Sequence, residues 1–145
     1  MVKIEEIVEL SDSQVDELLV LMNELSPRTH MDVSQLRLVA QSSSSHLFAM
    51  MNTEGHVIGT ASLCVCDSPT GRKVHVEDVV VLSSYRGQGL GRSLMEHLID
   101  YVRRELTPSD IYLTSKPSRV AANELYRALG FQQKETNVYK MHVGE

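Results

Sequence analysis

Between the apolar run Val79-Val80-Val81-Leu82 and a helix-like pattern lies Ser83-Ser84-Tyr85-Arg86-Gly87-Gln88-Gly89-Leu90-Gly91-Arg92, with glycines at three alternate positions. Glycine weakens any regular element, so such a cluster marks a chain that turns tightly and lets a guest approach its amides. A strand-to-helix turn of this kind aims unpaired N–H groups, and the positive end of the helix dipole, at one point. That is an anion site, and phosphate is the expected guest. Two carboxylates, Glu77 and Asp78, stand just ahead of the turn in an apolar strand. Alternation sends them to opposite faces, so that one faces any cleft beside the strand, and it puts His75 on the same face as Glu77. Asn123 and Tyr126, three residues apart, share one side of a later helix, with Ala121, Leu125, Ala128 and Leu129 on its apolar side.

The familiar nucleotide fingerprints do not fit. G-x-x-x-x-G-K-[ST] is absent, and G-x-G-x-x-G would need a glycine at 92, where Arg92 stands. The spacing present is R-x-x-G-x-G, from Arg86 to Gly91.

The elements that position these residues follow from hydrophobic period and punctuation. Residues 2–10 alternate like a strand. Ser11, Asp12 or Ser13 then offers an N-cap for a helix over Gln14–Leu25, which Pro27 ends. A short helix is predicted over Asp32–Gln41, a loop over Ser42–Ser45, and a hairpin from strands His46–Met51 and Val57–Cys66 around the turn Asn52-Thr53-Glu54-Gly55. Lys73–Leu82 reads as the strand that feeds the glycine turn, and Gly89–Leu106 as a long amphipathic helix closed by Pro108. Ile111–Thr114 is a short strand, Arg119–Leu129 a helix stopped by Gly130, and Gln132–Val143 one or two final strands.

Length and composition bound the function. A chain of 145 residues fits one domain, expected over 1–145. A net charge of -5 and the lack of any run of five like charges give no footprint for nucleic acid. No apolar stretch approaches a bilayer span, and the acidic, alternating N-terminus is unlike a signal peptide. The two cysteines, Cys64 and Cys66, fall on one strand face, where they form neither a disulfide with each other nor a zinc site. Free thiols suit a reducing compartment, and the expectation is a cytoplasmic protein without a metal.

With these residues in place, the chain resembles the GNAT superfamily of acetyl-CoA-dependent N-acetyltransferases. The resemblance rests on the strand-helix-helix-hairpin start, on VEDVVVLSSYRGQGLGRSLMEHLI, and on YLTSKPSRVAANELYRALGF, which looks like the family's Asn-x-x-Tyr helix followed by Gly-Phe. It implies an α+β fold in three layers, α/β/α, whose mixed, mostly antiparallel central sheet has splayed central strands flanked by helices. It further implies that Val79, Val80, Val81, Leu82, Arg86, Gly87, Gln88, Gly89, Leu90, Gly91 and Arg92 hold acetyl-CoA, with Asn123 and Tyr126 also contacting it.

Acetyl transfer to an amine needs a free electron pair on nitrogen, a stabilised oxyanion and a leaving thiolate. In similar enzymes the oxyanion donor is a backbone N–H on the splayed strand, here Val79 or Val81. The resemblance makes Tyr126 the general acid and Glu77 the base, with His75 a weaker candidate. Arg28, His30, Glu77 and Asp78 are the expected acceptor contacts. VEDVVV is also similar to the matching strand of glucosamine-6-phosphate N-acetyltransferases, but Leu113-Thr114-Ser115-Lys116-Pro117-Ser118-Arg119 departs from their pattern. Lys116 and Arg119 are either contacts for an anionic substrate group or solvated loop charges. The leading reading is transfer of acetyl to a primary amine of a small molecule, amino acid or peptide. The alternatives are an acetyl-CoA sensor without catalysis and an aminosugar-phosphate N-acetyltransferase. A homodimer is expected, with its interface on Thr136–Val143 as an edge strand.

Overall fold

The structure, a computed structural model, describes residues 1–26 and 31–145 and forms two compact units, Met1–Thr114 and Ser115–Glu145. The first holds strands β1 (Lys3–Glu6), β2 (Ser45–Met51), β3 (Val57–Ser68), β4 (Gly71–Val81) and β5 (Asp110–Tyr112), with helices α1 (Asp12–Leu25), α2 (Val33–Gln41) and α3 (Leu90–Glu105). The second holds α4 (Val120–Ala128).

Local chemistry sets the helix starts. Ser11 caps α1: its hydroxyl accepts from the Gln14 N–H at 3.2 Å, and Gln14 Oε1 accepts from the Ser11 N–H at 3.0 Å. Among the three candidate caps, Ser11 has the residue three positions on that can return the bond. Asp32 caps α2 by accepting from the Ser34 N–H at 2.9 Å. Gly89 precedes α3 with φ of 76°, a conformation that a residue with a Cβ adopts only at a cost.

The strands form one sheet in the order β1-β2-β3-β4-β5, antiparallel except for the parallel pair β4 and β5. That one parallel pair requires a crossover, which α3 supplies. Alternation along β2 divides the core. Leu47, Ala49 and Met51 pack with Val15, Leu18 and Leu21 of α1 and with Leu36 and Ala40 of α2. Phe48 points the other way, where its ring meets His97 and Tyr101 of α3 at 5.6 and 5.1 Å. The first unit is therefore the expected mixed, mostly antiparallel sheet between helices.

Three expectations need correction. β1 ends at Glu6: Ile7 still donates to the Leu47 carbonyl at 2.8 Å, after which the chain bends to bury Leu10 and present Ser11 as a cap. Residues 131–145 form no strand, and Val138, Tyr139, Met141 and Val143 stand 73–88% exposed. Alternation says which faces a strand would show, but a strand exists only where a neighbour accepts its ladder. Glu77 and Asp78 do not alternate in the ordinary way, because β4 bulges between them.

Candidate active site

The bulge is visible in the register of β3 and β4. Ser62 lies opposite Glu77 and Thr60 opposite Val80, so Ala61 faces two residues, Asp78 and Val79. Asp78 takes φ of 53°, the one positive value among described non-glycine residues. An extra residue of this kind bends its strand and interrupts the ladder. Both Glu77 and Asp78 are exposed. Glu77 shares a sheet face with Leu47 across Ser62, which is the α1 and α2 side.

On its other edge, β4 pairs with β5 over three rungs, Lys73 with Asp110, Val74 with Ile111 and His75 with Tyr112. The ladder stops there, whereas β4 continues to Val81. Because β5 ends at Tyr112, the β4 edge beyond His75, along the stretch that carries the bulge, has no ladder to β5. The His75 and Tyr112 rings stack at the last rung, 5.6 Å apart and 26° from parallel.

At the far end of that stretch, a 3-10 turn over Ser83–Tyr85 leads into the glycines. Gly87 and Gly89 have φ of 81° and 76°, and a Cβ at Gly87, Gly89 or Gly91 would meet nothing within 4 Å beyond its own chain neighbours and helix backbone. The first bond closing α3 is Ser93 N–H to the Gly89 carbonyl, at 3.1 Å. The amides of Leu90, Gly91 and Arg92 belong to the first turn, which a helix cannot pair internally. An open cradle of backbone donors at a helix start fits a pyrophosphate.

The side chains around the cradle have their own partners. Arg92 Nε donates to Glu96 at 2.6 Å, one turn along α3. Arg86 Nε donates to the Val81 carbonyl at 3.0 Å, and its Nη2 lies 3.6 Å from Glu24. The Leu82 N–H donates to Ile58 at 2.8 Å, so its amide closes the sheet. Gln88 is exposed beside the glycines, Val79 is half-buried at the bulge, and Val80 and Val81 are buried.

Near the end of the β4–β5 ladder, Cys64 lies opposite both Ser45 and His75 in the sheet. Burial pushes its thiol above the ordinary range; a Ser45 hydrogen bond opposes this, and the Glu77 and Asp78 carboxylates add to it. Both carboxylates thus act on one spot of the β3–β4 surface. Sequence reasoning found Glu77, Asp78 and His75 but not Tyr112, Cys64 or Glu24, whose proximity depends on pairing and packing between distant segments.

In the second unit, the Asn123 side-chain amide donates to the Lys116 carbonyl at 3.0 Å, tying α4 to the preceding loop. The Tyr126 ring meets Phe131 edge-on at 6.1 Å, and the Phe131 N–H donates to the Tyr126 carbonyl at 3.0 Å. Arg28 and His30, expected to touch the acceptor, lie outside the described residues, as does Pro27. Among the described residues, no group of three His, Cys, Asp or Glu side chains is placed to hold a metal ion, and no helix is long and apolar enough to cross a membrane.

The first unit thus combines a mixed sheet, in which one parallel pair ends early, with an open glycine turn at a helix start. The family model described as "Acetyltransferase (GNAT) family" matches residues 11–131, and the chain belongs to that family. It is 38% identical over 84 residues to a glucosamine 6-phosphate N-acetyltransferase of Trypanosoma brucei brucei, covering 56% of this chain and 54% of that protein. It is 30% identical over 91 residues to a streptothricin acetyltransferase of Streptomyces lavendulae, covering 63% of this chain and 47% of the relative. The chain thus spans about half the length of these curated relatives. Among solved structures, an AAC(6')-Iy complex with the bisubstrate analogue CoA-S-monomethyl-acetylneamine has the same fold, with a TM-score of 0.77 at 20% identity and 99% of each chain covered.

Proposed function

We propose that this chain is a single N-acetyltransferase domain that moves an acetyl group from acetyl-CoA to a primary amine. The observation that carries the reading is the open glycine cradle at the end of a strand whose pairing with its parallel neighbour stops well short of it. In this reading the cradle amides from Gly87 to Arg92 take the pyrophosphate, and the thioester lies along β4 near the bulge. The amine nitrogen attacks the thioester carbon, forming the C–N bond. A backbone N–H at Val79 or Val81 stabilises the oxyanion, and collapse breaks the C–S bond. Glu77, directly or through water, takes the proton from the ammonium. Tyr126, carried over from the family's Asn-x-x-Tyr helix, returns one to the thiolate.

The exposed Glu77 and Asp78 carboxylates favour a cationic acceptor over an anionic one at this edge. A second reading, an aminosugar phosphate as acceptor, is favoured by the 38% identity to the trypanosomal enzyme. A panel of amines, peptides, aminosugars and aminosugar phosphates, assayed with acetyl-CoA by released thiol, decides between them. Tight coenzyme A binding with no turnover on any acceptor would favour a sensor and defeat the enzymatic reading.

The same proposal places the protein in the cytoplasm, where free Cys64 and Cys66 thiols persist. It also makes the protein a homodimer. The exposed apolar side chains from Val138 to Val143 have backbone able to pair, and a second copy offers a complementary edge. Light scattering should give twice the 16.2 kDa chain mass. A single-chain mass at assay concentration would refute the dimer.

A further inference from the structure

We propose that Glu24 is a positioning residue for the coenzyme A cradle, an inference that rests on the acetyl-CoA reading of that turn. Glu24 lies in the last turn of α1, 59 residues from the segment it touches. Its Oε2 accepts from the Ser83 N–H at 3.0 Å, and its Oε1 accepts from the Ser83 hydroxyl at 2.9 Å. Its Oε2 also lies 3.6 Å from Arg86 Nη2, and Arg86 Nε in turn donates to the Val81 carbonyl at 3.0 Å. One carboxylate thus grips both ends of the 3-10 turn, and the guanidinium ties that turn back to the last residue of β4.

The arrangement reassigns Arg86. A cation next to a glycine turn is expected to reach the phosphate, yet two of the three guanidinium nitrogens here serve the protein. Phosphate recognition then falls to the amides, and what Arg86 and Glu24 supply is the orientation of those amides. The pair is partly exposed, with side-chain exposures of 55% and 27%, so its charge attraction alone contributes little. Its effect comes from geometry, because Gly87, Gly89 and Gly91 have no side chains to fix their backbone and Gln88 is exposed, and a cradle binds tightly only if its donors already point at one place.

The consequence is selective for cofactor affinity. Glu24→Ala releases Ser83 and Arg86 together, and the loose cradle must order itself when ligand binds. Calorimetry with coenzyme A should show about a 10-fold weaker complex, and KM for acetyl-CoA should rise by a similar factor while kcat at saturating cofactor stays within about 2-fold. Glu24→Gln keeps the side-chain length and one acceptor oxygen and should recover part of the loss. Glu24→Ala and Arg86→Ala should combine less than additively, as expected for two ends of one contact network. Melting curves establish that each variant is folded, and Glu24→Gln carries the test if the alanine variant is not.

A folded Glu24→Ala with wild-type affinity for coenzyme A overturns the proposal, as does a variant that loses kcat with unchanged KM. Failure of the wild-type protein to bind coenzyme A would instead overturn the acetyl-CoA reading, and this inference with it.

Discussion

Gly91 separates what the fold needs from what a ligand needs. It occupies the second position of α3 with an ordinary helical backbone, and a Cβ there would meet nothing within 4 Å beyond its own chain neighbours and helix backbone. Glycine inside a helix costs roughly 0.5–1 kcal/mol relative to alanine. The free protein therefore gains from Gly91→Ala, and for a chain of this size the melting temperature should rise by about 1–4 °C. With ligand the sign reverses. The new methyl enters the space through which the cradle amides reach the pyrophosphate, and losing one hydrogen bond to a charged oxygen costs about 1.5–3 kcal/mol, a roughly 10- to 150-fold weaker complex. Paired melting curves and coenzyme A titrations read both effects on one variant. Unchanged affinity in the folded variant would mean that no phosphate approaches Gly91. A fall in melting temperature without ligand would mean that the space is not open.

The proton carriers are tested by Tyr126→Phe, which should lower kcat roughly 10- to 1000-fold without abolishing it, since a thiolate can leave without a full proton transfer. Glu77→Gln removes the proposed base and should lower kcat roughly 10- to 1000-fold, and a wild-type rate would assign the proton to water or another residue. Cys66 should react with iodoacetamide ahead of Cys64, whose raised pKa keeps it a thiol as pH rises past the roughly 8.5 at which a free cysteine ionises. Glu77→Gln should speed Cys64 alkylation by removing one opposing charge, and equal rates by peptide mass spectrometry would separate that carboxylate from the thiol. Asp78→Val should cost about 1–2 kcal/mol in urea despite the exposed position, because φ of 53° penalises a β-branched side chain; a change within about 0.5 kcal/mol would refute a strained bulge.

What was legible in the sequence is local chemistry. Ser11 with Gln14 fixes the start of α1, Asp32 the start of α2, and the apolar spacing of Leu94, Met95, Leu98 and Val102 gives the buried face of α3. The glycine turn was legible because its residue types are costly unless the backbone itself is used. Features set by pairing were not legible. The bulge at Asp78 and the early end of the β4–β5 ladder depend on which strands lie alongside, and neither leaves a motif. Residues 138–143 carry an alternation without a ladder to join, so the pattern promised a strand that the chain does not form. Glu24 reads as one more acidic residue near the end of a helix, since Ser83 and Arg86 reach it only after β3 and β4 have folded against α1.

The bulge also has a meaning for insertion and deletion. Glu77, an odd-numbered residue, and Val80, an even-numbered one, lie on the same sheet face, through Ser62 with Leu47 and through Thr60 with Ala49. One residue of β4 is therefore supernumerary to the pleat. Deleting Asp78 would leave every core side chain of the strand on its present side, while straightening the edge beyond the β5 ladder. The hydrophobic core has no use for the extra residue, so a deletion variant is expected to fold with an intact core and a reshaped edge. Its position in the chain is one where shape at the site can change by a single codon without repacking the interior.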